Sequence, residues 1–195
     1  MAAQSIDLKA IIGLGNPGPK YTETRHNAGF WFVEQLAGKY AGSFRHESRF
    51  MGELAECFVN GSKLWCHKPA TFMNLSGQAV RALSSFYRLD ASQILVAHDE
   101  IDLPPGVARL KFGGGHGGHN GLRDIISHLG TRDFYRLRIG VGHPGSKEQV
   151  ADYVLKKAGR DEQALIDDSI VQALDVMPQL VQGELEKAMQ VLHTQ

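Results

Sequence analysis

Apolar residues occur along this chain in short clusters whose spacing changes from segment to segment. "LKAIIGLG" (residues 8–15) is an apolar run ended by glycines, the pattern of a buried strand. "AGFWFVEQLAGKY" follows, with Phe30, Val33, Leu36 and Ala37 three or four apart, which predicts a helix ending near Gly38 or a later glycine. Residues 44–59 and "SKLWCHKP" read as strands separated by the turn "NGS". "NLSGQAVRALSSFYRL" has Leu75, Ala79, Leu83 and Phe86 at helical spacing. "QILVAHDE" and "VARLKF" are strands joined by the turn "DLPPG", and "FYRLRIGVG" is another. "LRDIISHLG" between them predicts a short helix stopped by Gly130. After the loop "HPGSK" the pattern is helical to the end, carried by Ala164, Leu165, Leu174, Leu180, Val181, Leu185 and Leu192. Strands alternating with helices predict an α/β fold: a central, mostly parallel (mixed) sheet with helices on both faces.

The chain has 195 residues, 43% of them hydrophobic, which suits one domain spanning residues 1–195. No apolar run approaches the roughly 20 residues of a membrane span. "MAAQSIDLKA" has neither an apolar signal core nor an Arg-rich transit pattern, so the expected location is cytoplasmic. Cys57 and Cys66 are the only cysteines, too few for a disulfide framework, and are expected to be reduced thiols. Formal net charge is zero, but its distribution is uneven. Between Pro105 and Lys147 the basic residues Arg109, Lys111, Arg123, Arg132, Arg136, Arg138 and Lys147 face only Asp124 and Asp133. That segment is a candidate anion surface, and the acidic stretch from Arg160 to Glu186 a solvated helix face.

Several familiar chemistries fit poorly. Gly13, Gly15 and Gly18, and again Gly113, Gly115 and Gly118, match G-x-G-x-x-G. The first is followed by "PKYTETRHNAG" rather than a helix, and the second has no strand-end carboxylate about 20 residues on to hold a ribose. His116 and His119, with His98 or Asp99, form a weak metal candidate on a loose glycine-rich backbone, so no metal is expected. Cys66 and His67 are strand neighbours that should face opposite ways, and no G-x-S-x-G elbow is present.

What remains is a set of polar residues where strands or loops end: Asn16, Tyr21, His26, Asn27, Asn74, Asp99, His119 and Asn120. Ligands in open α/β sheets bind at strand C-termini, so these positions can converge on one crevice. His26 is the natural base, Asp99 a partner able to fix its tautomer, and the asparagines amide donors for a carbonyl or oxyanion. Duller roles are open for each: a loop histidine, a helix cap at Asn74, a turn carboxylate at Asp99.

The segments "GLGNPGPKYTETRHNAGFWFVE", "KPATFMNLSGQAV", "HDEIDLPPGVARLKFGGGHGGHNGLRDI" and "FYRLRIGVGHPG" closely resemble, in order and spacing, the bacterial-type peptidyl-tRNA hydrolases. The resemblance implies a monomeric α/β hydrolase that cleaves the ester between a peptide and the 3′ ribose of tRNA, without metal or cofactor. It implies His26 of "TRHN" as catalytic base and Asp99 of "HDE" as its orienting carboxylate. Asn16, Asn74, His119 and Asn120 would bind substrate, Tyr21 and Met73 would shape the site, and Lys111 and Arg138 would clamp the tRNA 5′ phosphate.

The stretch "GGGHGGHNG" has six glycines in nine positions, Gly113 to Gly121. Either the missing side chains let backbone approach a bulky peptide or the tRNA end, or the turns require positive φ. On the first account Gly117→Val weakens substrate binding and leaves the fold intact.

Overall fold

The computed structural model describes residues 5–194; Met1–Gln4 of the N-terminal segment and Gln195, the end of the C-terminal helical run, lie outside them. Seven strands, β1 (Ala10–Gly13), β2 (Arg45–Glu47), β3 (Gly52–Val59), β4 (Ser62–Pro69), β5 (Ile94–Glu100), β6 (Ala108–Phe112) and β7 (Tyr135–Gly140), form one sheet in the order β2-β3-β4-β1-β5-β7-β6. The four central strands β4, β1, β5 and β7 are parallel, and β2, β3 and β6 add antiparallel edges. The sheet is thus mixed with a parallel centre, as predicted.

Parallel neighbours need crossovers, and these put helices on both faces. One face carries α1 (Ala28–Lys39), α5 (Arg160–Asp175), α6 (Met177–Val181) and α7 (Leu185–His193) over a core that includes Ile11, Phe32, Leu64, Leu95 and Leu137. The other carries α2 (Ser76–Tyr87) and α3 (Asn120–Leu129) over Ile12, Leu83, Val96, Ile125 and Phe134. A short helix α4 (Val150–Val154) precedes α5. The β3–β4 hairpin turns at Asn60 and Gly61 with φ of 50° and 78°, the left-handed pair for which an Asn-Gly turn is suited. Helix α3 stops at Gly130 with φ 71°.

Three details differ from the sequence pattern. Residues 44–59 are not one strand, because a tight turn at Ser48–Phe50 and Met51 at φ 50° separate β2 from β3. In α1 the fully buried aromatic is Phe32, with Phe30 at the boundary. In α2 the expected Ala79 and Leu83 are buried together with Val80, and in α5 the expected Leu174 with Ile166, Ile170 and Ala173, whereas Leu75, Phe86 and Leu165 are exposed. Leu75 belongs to the turn before α2, and Phe86 packs at the rim on Phe50 and Tyr87.

Close backbone contact sets the entry of α1. A Cβ on Gly29 would fall well inside contact with the Ala97 carbonyl oxygen and lie 2.6 Å from the Leu14 oxygen. A Cβ on Gly13 would likewise meet Gly29 and lie 2.5 Å from Val33 Cγ2. Two glycines therefore let the first turn of α1 rest on β1 and β5, and the tight turn Arg25–Asn27 before it hangs over the end of β5.

Candidate active site

A cavity of about 590 Å³ opens beyond the C-terminal ends of β1 and β5, lined among others by Asn16, His26, Met73, Asn74, Asp99, His119 and Asn120. Chain order reverses direction across the sheet here, since β1 lies between β4 and β5. His26, 9% exposed, turns Nδ1 onto Asp99, 2.9 Å from Oδ1 and 3.0 Å from Oδ2. Asp99, 3% exposed, also meets His119 Nε2 at 2.9 Å through Oδ1.

Hydrogen bonding settles the tautomers. His119 Nδ1 accepts the Gly121 amide at 3.1 Å and the Leu122 amide at 3.4 Å at the start of α3, so its Nε2 carries the proton donated to Asp99. His26 donates Nδ1–H to the same carboxylate, which leaves its Nε2 lone pair free. Burial alone would lower the His26 pKa, but the charge and hydrogen bond of Asp99 outweigh it and raise it above the ordinary imidazole value. Burial would raise Asp99, and the two histidines instead hold it well below the usual carboxylate range. Neighbouring His98 is pushed down to about 3, chiefly by burial and then by His119, and donates Nδ1–H to the Asp99 carbonyl at 2.8 Å as a neutral ring.

Two asparagines present their amide ends. The Asn16 side-chain oxygen accepts the Met73 amide at 2.8 Å, and that of Asn120 accepts from Arg123 Nη1 at 2.9 Å. Both partners are obligate donors, so the oxygens are committed and the NH₂ groups remain for a ligand. Asn27 grips Asn16 from behind: its Nδ2 donates to the Asn16 carbonyl at 3.0 Å and its Oδ1 accepts the Asn16 amide at 2.9 Å. The arrangement offers a base, a carboxylate that orients it, and neutral donors in one cleft, which is the equipment for water-mediated acyl transfer. A family model described as peptidyl-tRNA hydrolase matches residues 10–195.

The chain belongs to the peptidyl-tRNA hydrolase family. It is 50% identical to the peptidyl-tRNA hydrolase of Neisseria gonorrhoeae (strain NCCP11945) over 187 residues, 96% of this chain and 97% of that one. It is 54% identical to that of Azoarcus sp. (strain BH72), covering 95% of this chain and 84% of the relative. A crystal structure of peptidyl-tRNA hydrolase from Acinetobacter baumannii superposes with a TM-score of 0.94 at 50% identity, covering 98% of this chain and 97% of the other.

Within this peptidyl-tRNA hydrolase fold the remaining predicted residues fall in two places. Asn74 is exposed at the cavity rim in the turn before α2, with Met73 buried beside it. Tyr21 lies outside the cavity lining, its ring edge-on at 6.4 Å to that of Phe72, which lines the cavity. Lys111 and Arg138 also lie outside the cavity, on adjacent strands where Lys111 pairs Arg136 and Arg109 pairs Arg138. Arg138 Nη2 donates to Glu100 at 3.1 Å. Among the described residues, the donor atoms that gather closely enough for a metal are those of His26, Asp99 and His119; His116 is not among them, and its Nδ1 accepts the Gly118 amide. The His26 and His119 nitrogens facing Asp99 are spent as hydrogen-bond donors to it, which fits an acid–base unit better than a ligand set.

One feature escaped the sequence reading. The outer cavity wall is α4, through Val150, Ala151 and Val154, with Leu155 just after it, a segment that shows no distinctive residue spacing. Of the two accounts of the glycine loop, the need for positive φ is met: Gly113, Gly114, Gly117 and Gly118 all have it. A Cβ on Gly117 or Gly118 would meet no protein atom, and both glycines line the cavity. Valine at Gly117, φ 58°, would accordingly strain the loop as well as crowd a ligand, which corrects the expectation of an undisturbed fold.

Proposed function

We propose that this chain hydrolyses the ester between a peptide and the 3′ ribose of tRNA, with His26 activating water. The observation that carries the mechanism is the His26–Asp99 hydrogen bond at the floor of the cavity, which leaves Nε2 of His26 as the free base. Nε2 removes a proton from water as the oxygen attacks the ester carbonyl carbon, and the oxyanion forms against the Asn16, Asn74 and Asn120 amides. Collapse breaks the bond to the ribose 3′ oxygen, which takes the proton back from His26, releasing free peptide and tRNA. Asp99 stabilises the transient imidazolium, and His119 holds Asp99 in place.

Tyr21 and Met73 shape the acyl side of the cavity, and Lys111 with Arg138 receive the tRNA 5′ phosphate on the adjoining basic face. The enzyme acts as a monomer in the cytoplasm, and its reaction needs neither metal nor cofactor because side chains supply the base, the orienting carboxylate and the oxyanion donors. Among the described residues no helix is long and apolar enough to cross a membrane. Cleavage of N-acetyl-aminoacyl-tRNA beside unblocked aminoacyl-tRNA, with chelator present, tests the reading. It predicts hydrolysis of the blocked substrate alone; no hydrolysis of either, despite tRNA binding, would contradict it.

A further inference from the structure

Arg136 is one of seven basic residues in the segment from Pro105 to Lys147, yet it is only 2% exposed and cannot present its charge to nucleic acid. A buried guanidinium demands compensation. Here the compensation comes from the glycine loop: Nη2 donates to the Gly114 carbonyl at 2.6 Å and Nη1 to that of Gly115. The guanidinium carbon lies 4.5 Å from the centre of the Phe134 ring, within cation–π range.

Among the described residues little else holds the loop there. Gly113 makes the last sheet-like bond, from its amide to the Phe134 carbonyl at 3.0 Å. The next anchor is His116, which accepts the Gly118 amide on Nδ1 and the His119 amide on its carbonyl, each at 2.9 Å. Glycines at positive φ cannot pack side chains of their own, so the two Arg136 bonds carry the span between these anchors. Downstream, the same loop places His116, Gly117 and Gly118 over the cavity and then His119 on Asp99. The Lys111 side chain passes beside the same loop, since a Cβ on Gly114 would lie 2.7 Å from its Nζ.

We infer that Arg136 is a positioning residue that sets the height of the glycine loop over the cavity, and through it the fit of the acyl-bearing end of the substrate, without touching substrate. The inference rests on reading this cavity as the substrate site. A planar fork can bridge two consecutive carbonyls, and a lysine ammonium on a flexible stem cannot reproduce that geometry.

The test compares wild type, R136K and R136A, the last with and without low concentrations of guanidinium, on N-acetyl-aminoacyl-tRNA. The expected result for folded R136K is a KM raised by about tenfold, the size of one lost charge-assisted hydrogen bond. Its kcat and the acid limb of its pH profile should stay where they are in wild type. Guanidinium should restore part of the KM of R136A and leave wild type unchanged. Hydrogen exchange of the residue 114–118 amides reads the loop independently of activity, and should be faster in R136K. Unchanged KM and exchange in folded R136K would overturn the inference, as would a shifted acid limb, which would put Arg136 in the His26–Asp99 unit. Failure of both variants to fold would also overturn it, making Arg136 part of the core. If wild type itself leaves the blocked substrate intact, the proposed function fails, and the exchange measurement still decides whether Arg136 holds the loop.

Discussion

Asn27 satisfies both backbone polar groups of Asn16, donating to its carbonyl and accepting its amide through a single side-chain amide. Asn16 is thereby held so that its own side chain can take the Met73 amide and turn its NH₂ toward the cavity. Asn27→Ala strands two buried backbone groups, each costing about 1–3 kcal/mol. The expected outcome is a lower Tm together with a reduced kcat. Asn27→Asp, which keeps the acceptor and loses the donor, should fall between wild type and alanine in both measurements.

Gly29→Ala tests the close seat of α1 on β1 and β5. The added methyl has no room against the Ala97 and Leu14 backbone, so the helix must move, at a cost of about 1–3 kcal/mol. Because His26 lies three residues before this contact, kcat should fall along with Tm. A Tm near wild type would show that the seat is less rigid than the contact distances imply.

The pH dependence follows from the sign of the His26 shift. Its pKa is raised in the folded protein, so the protonated, inactive ring persists to higher pH than an ordinary imidazole. Rate should therefore rise with pH through a midpoint above about 6.5, the unperturbed histidine value. Asp99→Asn removes the charge that raises His26 and leaves the burial that lowers it, so the midpoint should move down. The same change allows an amide donor to face Nδ1, leaving Nε2 protonated, with a rate loss on the order of 10²–10⁴. A pH–rate series on both proteins checks the pair of effects.

Lys111 and Arg138 should behave as phosphate contacts. Replacing either by alanine is expected to weaken tRNA binding and to reduce the slope of log Kd against log salt by about 1. Turnover at saturating substrate should be little changed. Binding isotherms across a salt series separate this from a loss of fold, which would alter turnover too.

Much of the framework could be read from the chain because it rests on local chemistry. Apolar runs such as "IIGLG" and "ILVAH" became the central strands, Asn60-Gly61 made the hairpin, and Gly130 ended α3. His26, Asp99 and the asparagines could be singled out because strand ends converge in a parallel sheet, whatever the intervening sequence. What could not be read was tertiary partnership. Arg136 and Arg138 sit two residues apart with the same charge, and only packing sends one to the Gly114 and Gly115 carbonyls and the other to Glu100. Leu165 and Ile166 are equally apolar, and the docking angle of α5 chooses Ile166 for the core. His119 was legible as a site residue but not as the second donor to Asp99, since that bond depends on where α3 begins.

The central claim is that the free Nε2 of His26 is the base. It is tested most directly by single-turnover cleavage of N-acetyl-aminoacyl-tRNA by wild type and His26→Ala, with tRNA binding and thermal melts measured alongside. The account predicts a folded variant that binds tRNA normally and cleaves on the order of 10²–10⁴ more slowly. A folded His26→Ala protein that cleaves at the wild-type rate would contradict it.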